Sequence, residues 1–135
     1  MPLVVPNVAE TDILTYVFTS AMTLRLYGNN INPGPTDTAA TYTEIAGGGY
    51  ANLPLILANW VLTAGAPSYG LYPQQTWLFT GAISAPSTIY GYYVTRNSDG
   101  KLMWAERFPV SVCPFTPIAG SQVRITPKFT GSSVY

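Results

Sequence analysis

Turn-forming residues divide this chain into short segments. Twelve Gly and twelve Pro occur among its 135 residues, and together with Asn they interrupt the apolar segments about every 8 to 12 residues. Apolar and polar residues alternate at 22–27 and 122–129, as in strands with one buried face. About eight such segments predict a mainly β fold, a β-sandwich or jelly-roll, with one short N-terminal helix. No internal repeat is visible, which argues against a propeller or a solenoid.

The clearest local feature is a hairpin formed by residues 88–95 and 101–108. The connection between them ends in Asp99-Gly100, where glycine can adopt the positive φ that a tight reversal requires. Further strands are predicted at 42–45, 76–80 and 110–115. The apolar run at 53–63 is broken early by Pro54, and a strand fits it better than a helix.

Only one segment has helical periodicity. An apolar stripe predicts a helix over residues 9–20, and its members are Ile13, Leu14, Val17, Phe18 and Ala21. Asn7 stands where an N-cap residue is expected, and Glu10 follows it at the spacing of a capping box. Residues 1–7 before it are predicted to be an extended arm, since Pro2 and Pro6 disfavour a helix, and residues 8–135 form one domain.

The chain is unusually poor in charge. Charged residues make up 9 % of it, against about 25 % in an average soluble protein, while 47 % hydrophobic residues exclude a disordered chain. A net charge of zero removes the electrostatic basis for binding nucleic acid. Because few charges need desolvating on association, this composition predicts permanent assembly with other proteins, with a monomer of bland polar surface as the alternative.

No membrane or secretion signal is recognised. A run of about 18 apolar residues, which would indicate a membrane span, is missing. The first six residues have neither the basic region nor the long apolar region of a signal peptide. The single Cys113 lies in an apolar run, which predicts a buried, unreactive thiol. We therefore expect synthesis in a cytoplasm.

The residues for most catalytic mechanisms are missing. The chain has no His, which excludes Ser-His-Asp and Cys-His catalysis and His-bearing zinc sites. Glu44 and Glu106 are the acids inside predicted strands, and a glycosidase needs two carboxylates flanking one bond. We expect each of them to pair instead with an arginine, Arg25 or Arg107, or with a backbone donor. The triplet at 47–49 lacks the spacing of a phosphate loop, so we predict no enzyme, no cofactor and no metal site.

Aromatic residues carry the candidate binding surface. The chain has ten Tyr, three Trp and five Phe, and tyrosine suits contacts that are apolar at the ring and polar at the tip. A strand through 90–93 puts Tyr90 and Tyr92 on one face and Tyr93 on the other, so both faces are covered, either by a partner or by the domain's own core. We predict contacts with protein neighbours through Leu3, Val4, Val5, Ile31, Tyr69, Tyr72, Tyr90, Tyr92 and Tyr93. Alternatively, Tyr69, Tyr72 and Trp77 line a sugar site.

The chain also resembles a family of small virion proteins of tailed phages. The resemblance spans most of the chain and is carried by structural segments: the helix after Pro6-Asn7, Leu24-Arg25-Leu26-Tyr27-Gly28-Asn29, Tyr42-Thr43-Glu44-Ile45, Gly48-Gly49-Tyr50-Ala51, Trp60, Ile89-Tyr90-Gly91-Tyr92-Tyr93-Val94, Leu102-Met103-Trp104-Ala105-Glu106 and Arg124-Ile125-Thr126-Pro127.

The family includes head decoration, or cement, proteins of phages and cyanophages. The resemblance implies a β-sandwich that forms a homotrimer and sits on the outer capsid surface over joints between major-capsid subunits. It implies the major capsid protein as partner, localisation in the virion, and no catalytic residues. Other phage proteins of this kind belong to tail fibres or baseplates, which leaves a domain that binds a host receptor or carbohydrate as the alternative.

Overall fold

The computed structural model describes residues 6–65, 68–84 and 86–130. The described chain has one α-helix and nine strands in three antiparallel sheets, which confirms the mainly β prediction with one strand more than expected. The elements are α1 Asn7–Thr19, β1 Met22–Tyr27, β2 Leu53–Leu55, β3 Val61–Thr63, β4 Tyr69–Leu71, β5 Gln75–Leu78, β6 Gly91–Arg96, β7 Leu102–Arg107, β8 Gln122–Ile125 and β9 Lys128–Thr130. The sheet orders are β2-β1-β6-β7, β3-β4-β9 and β5-β8.

Helix α1 begins two residues earlier than the stripe predicts. Pro6 is the N-cap residue and no side chain caps the helix, so the predicted capping box of Asn7 and Glu10 is wrong. The Glu10 carboxylate instead accepts a hydrogen bond from the backbone N–H of Ser68 at 3.1 Å. It thereby ties the helix to the start of the segment that leads into β4. The side chains that α1 buries fully are Leu14 and Phe18.

The central strand of the fold is β6. Five of its six residues are buried, from Gly91 to Thr95, because the four-stranded sheet is covered on both faces. A six-residue ladder joins β6 to β1, and a hairpin joins β6 to β7. Gly100 closes this hairpin with φ +74, and Arg96 and Asp99 form an ion pair at 2.6 Å beside it. The predicted hairpin and its glycine are confirmed.

Four predicted strands are interrupted or missing, and prolines explain most of the differences. The run at 53–63 contains β2, a 3₁₀ turn and β3, while 122–129 splits at the buried Pro127 into β8 and β9. Residues 110–115 form turns with one bridge between Phe115 and Ile89, since Pro109 and Pro114 cannot donate to a ladder. Residues 42–45 contribute a single bridge, from Glu44 to Tyr27.

One apolar core joins the helix and all three sheets. Its buried members include Leu14, Phe18, Leu24, Leu55, Trp60, Trp77, Val94 and Val123. Phe18 is at the centre of an aromatic stack, with its ring 4.1 Å from that of Trp60 and nearly parallel to it, and 5.9 Å from Phe129. Gly70 on β4 lies directly against the Phe18 ring, and a Cβ there would overlap it.

Phe18→Ala should lower the free energy of unfolding by about 3–5 kcal/mol, because it removes the fully buried ring that holds α1 on the core. The matched control is Tyr16→Ala on the same helix, where the side chain is 80 % exposed and the expected change is within about 0.5 kcal/mol. Urea unfolding followed by circular dichroism measures both. Equal losses in the two variants would contradict this packing.

Candidate functional site

A second, tyrosine-rich cluster covers the other face of the central sheet. Tyr27, Tyr42 and Tyr93 are its buried members, and Ile31 and Tyr90 pack against them. The rings of Tyr42 and Tyr93 are stacked at 5.1 Å, and Tyr27 meets Tyr42 edge-on at 4.9 Å. Ile31 and Tyr42 come from the irregular segment that follows β1, and the cluster is a small core separate from the main one.

The hydroxyl groups of Tyr27 and Tyr42 form hydrogen bonds within the chain. The Tyr42 hydroxyl donates to the Asp37 carboxylate at 2.7 Å, which also accepts the N–H of Gly34. The Tyr27 hydroxyl donates to the carbonyl of Ile31 at 3.3 Å. Burial raises the pKa of Tyr27 and the pKa of Tyr93 to about 12, and burial together with the Asp37 carboxylate raises the pKa of Tyr42 well above 10.

Glu44, one of the two carboxylates considered for glycosidase chemistry, lies in a hydrogen-bond network beside β1. Glu44 forms an ion pair with Arg25 at 2.8 Å and accepts the hydroxyl of Tyr50 at 2.7 Å and the amide of Asn52 at 3.3 Å. Arg25 also donates to Thr95 at 3.0 Å. The expected pairing of Glu44 with Arg25 is therefore confirmed.

Glu106, the second of these two carboxylates, faces a different part of the molecule. Glu106 accepts the Tyr92 hydroxyl at 3.3 Å, and Arg107 donates to Asn30 and to the carbonyl of Ile31 rather than to Glu106. Tyr92 and Tyr93 are consecutive in β6, so their side chains lie on opposite faces of the sheet. In the strand register, Arg25 lies opposite Tyr93 and Glu106 lies opposite Tyr92. Arg25, the partner of Glu44, is therefore on one face of the sheet, and Glu106 is on the other.

The nine predicted contact residues fall into three groups. Tyr72, Tyr92 and Tyr93 are at most 5 % exposed, and their rings pack inside their own chain, which identifies the cover of β6 as the domain's own core. Ile31, Tyr69 and Tyr90 are partly exposed. Tyr90 lies with Tyr93 rather than with Tyr92, because β6 starts only at Gly91. Leu3, Val4 and Val5 lie outside the described residues.

The alternative sugar site of Tyr69, Tyr72 and Trp77 does not form an open surface. The Tyr72 hydroxyl accepts hydrogen bonds from the N–H of Ile56 and the amide of Asn59, and the Trp77 indole donates to the carbonyl of Ala51 at 2.7 Å. Both rings are buried. Tyr69 alone faces outward, with the Lys128 ammonium 4.4 Å from its ring centre.

In the described part of the chain, eleven large apolar side chains are exposed, including Ile13, whose predicted place in the apolar stripe of the helix is therefore wrong. They lie on the outer face of α1, on β2 to β5 and their connections, and in the 110–118 segment: Val8, Ile13, Tyr16, Ile56, Leu57, Val61, Leu71, Leu78, Val110, Val112 and Ile118. Val61 and Leu71 are cross-strand partners on the outward face of their sheet, and Val110 is 95 % exposed.

A shallow cleft of ≈ 220 Å³ lies beside β8. It is lined by Phe108, Pro109, Val112, Phe115, Gln122, Val123 and Arg124. Arg124 donates to Gln122 at 2.7 Å, and the lining includes no carboxylate. Cys113 nearby is partly exposed rather than buried, because residues 110–115 form turns instead of the predicted strand.

Comparisons of the chain with protein-family models, with curated proteins and with solved structures gave no match. Among the described residues, His, Cys, Asp and Glu side chains do not come together in threes as metal ligands would. None of the helices in that part of the chain has the length and apolar character needed to cross a membrane.

The buried tyrosines predict unfolding at alkaline pH. Their raised pKa values mean that the folded state favours the neutral phenol, so this contribution to stability is complete below pH 10 and is lost as the pH rises toward about 12. A tyrosinate absorbance titration should show the cluster ionising together with loss of the circular dichroism signal. Tyr93→Phe should move that transition to higher pH. Independent titration of all tyrosines near pH 10 in a folded chain would contradict this.

Glu44→Gln should destabilise the fold by about 1–3 kcal/mol, because the Arg25 guanidinium loses its ion pair and its charged hydrogen bond. The control is Glu106→Gln, which weakens a single 3.3 Å hydrogen bond and is expected to cost within about 0.5 kcal/mol. Urea unfolding of both variants at neutral pH provides the comparison. A loss in Glu106→Gln as large as in Glu44→Gln would show that the network around Arg25 has no special role.

Proposed function

We propose that this chain is a non-catalytic structural protein of a phage particle. It acts as a decoration, or cement, protein: as a homotrimer it binds the outer shell over joints between major-capsid subunits and stabilises the shell by protein contacts alone. The resemblance to head decoration proteins in the segments quoted above supplies the location, and the surface chemistry supplies the mode of action.

The observation that carries the proposal is how few charges the surface has and that most of them already have a partner. Most charged side chains have a partner within the chain: Glu10 with Ser68, Arg25 with Glu44, Asp37 with Tyr42, Arg96 with Asp99, Glu106 with Tyr92, Arg107 with Asn30, Arg124 with Gln122 and Lys128 with Tyr69. Six of the twelve charged residues are exposed, so uncharged polar residues and exposed apolar side chains make up most of the outward-facing positions.

A surface of this kind favours permanent contact with protein. Association removes apolar area from water at a gain of about 25 cal/mol per Å², and little of that gain is lost because few charges have to be desolvated. Val110 at 95 % and Val61 at 63 % exposure are the kind of side chains whose burial contributes. A monomer would gain nothing from keeping them exposed.

Shell stabilisation then follows from mass action. A protein that binds the assembled shell and not its separated subunits lowers the free energy of the assembled state, by an amount that grows with its free concentration. Many copies on one symmetric lattice add avidity to individually modest contacts. No residue has to perform chemistry for this to work.

Purified protein should bind phage heads that lack it, and such heads should retain their DNA to a higher temperature than undecorated heads. Immunogold labelling should be spread over the head. A chain without residues 1–5, which keeps the N-cap Pro6, should bind more weakly and protect less. Labelling confined to the tail, or unchanged heat sensitivity of fully decorated heads, would overturn the proposal.

The alternative is a tail-fibre or baseplate domain that binds a host receptor or carbohydrate. Outward-facing Tyr69 on a three-residue strand is its support, but Tyr72 and Trp77, its expected companions, are committed to hydrogen bonds inside the core. Binding of the purified domain to host cells or to glycans, lost in Tyr69→Ala, would favour this alternative over the capsid role.

A further inference from the structure

One dipeptide at the tip of the β6–β7 hairpin has a chemical reactivity of its own. Asp99 is followed by Gly100, and no other Asp or Asn precedes a glycine in the sequence. Because glycine has no Cβ, its backbone nitrogen is the least hindered in approaching the side-chain carboxyl of the residue before it. Both residues are exposed, and a Cβ built on Gly100 would meet no atom within 4 Å. Water and neighbouring atoms therefore leave room for a reaction between the two residues.

The reaction that this pair can undergo is isomerisation of the aspartate. The Gly100 nitrogen forms a bond to Cγ of Asp99, and its proton and the carboxyl hydroxyl leave together as water, which gives a succinimide ring. Water then adds to one of the two ring carbonyls. Opening at one carbonyl restores aspartate, and opening at the other gives isoaspartate, whose main chain runs through Cβ and Cγ. Water is lost and regained, so the reaction needs no oxidant and no cofactor.

The folded chain holds the carboxyl group in the form that does not react. Arg96 donates two hydrogen bonds to Asp99, from Nε to Oδ1 at 3.0 Å and from Nη2 to Oδ2 at 2.6 Å. The N–H of Lys101 donates to Oδ1 at 3.1 Å. The bonds from Arg96 and then from Lys101 lower the pKa of Asp99 to about 2. The protonated acid, which supplies the hydroxyl that leaves, is therefore scarce at neutral pH.

The attacking nitrogen is held as well. The N–H of Gly100 donates to the carbonyl of Arg96 at 2.7 Å, so it retains the proton that it would have to lose and is directed at that carbonyl. Arg96 thus restrains both reacting groups, the carboxylate through its side chain and the amide through its backbone. A substitution of Arg96 removes the first restraint and leaves the second.

We propose that Asp99-Gly100 is a site of spontaneous isoaspartate formation and that the Arg96 guanidinium keeps it closed in the folded chain. The register of the central hairpin is what this protects. The bond from Gly100 to the Arg96 carbonyl and the bond from the Arg96 N–H to the Lys101 carbonyl at 2.9 Å close the turn between β6 and β7. An additional backbone carbon at Asp99 lies inside both rings. This role is independent of any partner and of the proposed function.

Substitutions of Arg96 test the protection. Arg96→Gln removes the charge and the paired donors, and Arg96→Lys keeps the charge without the planar fork. At neutral pH, below the melting temperature, Arg96→Gln should form isoaspartate at Asp99 at least about threefold faster than the native chain, with Arg96→Lys between them. The matched control is Arg124→Gln, which removes an arginine of β8 bonded to Gln122 and should leave the rate unchanged. Mass spectrometry with electron-transfer fragmentation distinguishes the two forms of Asp99 in proteolytic peptides.

Denatured chains provide the second comparison. In guanidinium chloride the native chain should isomerise faster than when folded, and all variants should react at one rate, because the contacts of Arg96 exist only in the folded state. Equal rates in the folded native chain and in folded Arg96→Gln would overturn the proposal. A native chain that reacts as fast when folded as when denatured would also overturn it, as would a difference between variants that persists in denaturant. Circular dichroism and the melting temperature verify that each variant is folded.

Discussion

The fold depends on burying β6 on both faces. One face packs against a core to which α1 and all three sheets contribute, including Phe18 and Trp60. Within the described part of the chain, no sheet or helix of comparable size covers the other face. There Ile31 from the loop of residues 28–41 packs against three tyrosines, whose rings supply apolar area. The hydroxyls of Tyr27 and Tyr42 reach acceptors that the loop itself provides. A loop carries many backbone polar groups and is a poor cover for an apolar strand, and tyrosine resolves this because one side chain serves both needs.

The same constraint explains where the charges are. A small domain with 9 % charged residues has few ion pairs to distribute, and here they fix segments that have little regular structure. Asp37 joins Gly34 to Tyr42 inside the loop, and Glu44 ties its own segment to Arg25 on β1. Arg25, Asp37 and Glu44 are accordingly only partly exposed, whereas the other half of the charged residues, such as Lys101 and Arg124, remain on the outer surface.

Features that depend on neighbouring residues can be predicted from the sequence, whereas those that depend on distant residues cannot. Alternation at 22–27 indicated a strand with one buried face, as in β1, and Asp99-Gly100 identified the hairpin turn. The length of β8 and β9 was overestimated because Pro127 was not treated as a break. The burial of Tyr72 could not be derived from its position in a loop-like segment, since its hydroxyl is bonded to Ile56 and Asn59, which are more than ten residues away. Helical periodicity located α1 and its buried Leu14 and Phe18, but it also placed Ile13 in the stripe, and that side chain is 58 % exposed.

Proline has two roles in this chain that share one cause. Inside the domain it ends ladders, between β8 and β9 and in the turns at 110–115, because it removes a donor that the next strand would need. At an edge the same missing donor faces outward and prevents a further strand from pairing, as at Pro54. Twelve prolines therefore restrict the chain to short strands. Their positions also decide which strand edges can still pair with a further strand. The six-residue edge of β7, without proline from 102 to 107, stands out against that background as a place where pairing has not been prevented.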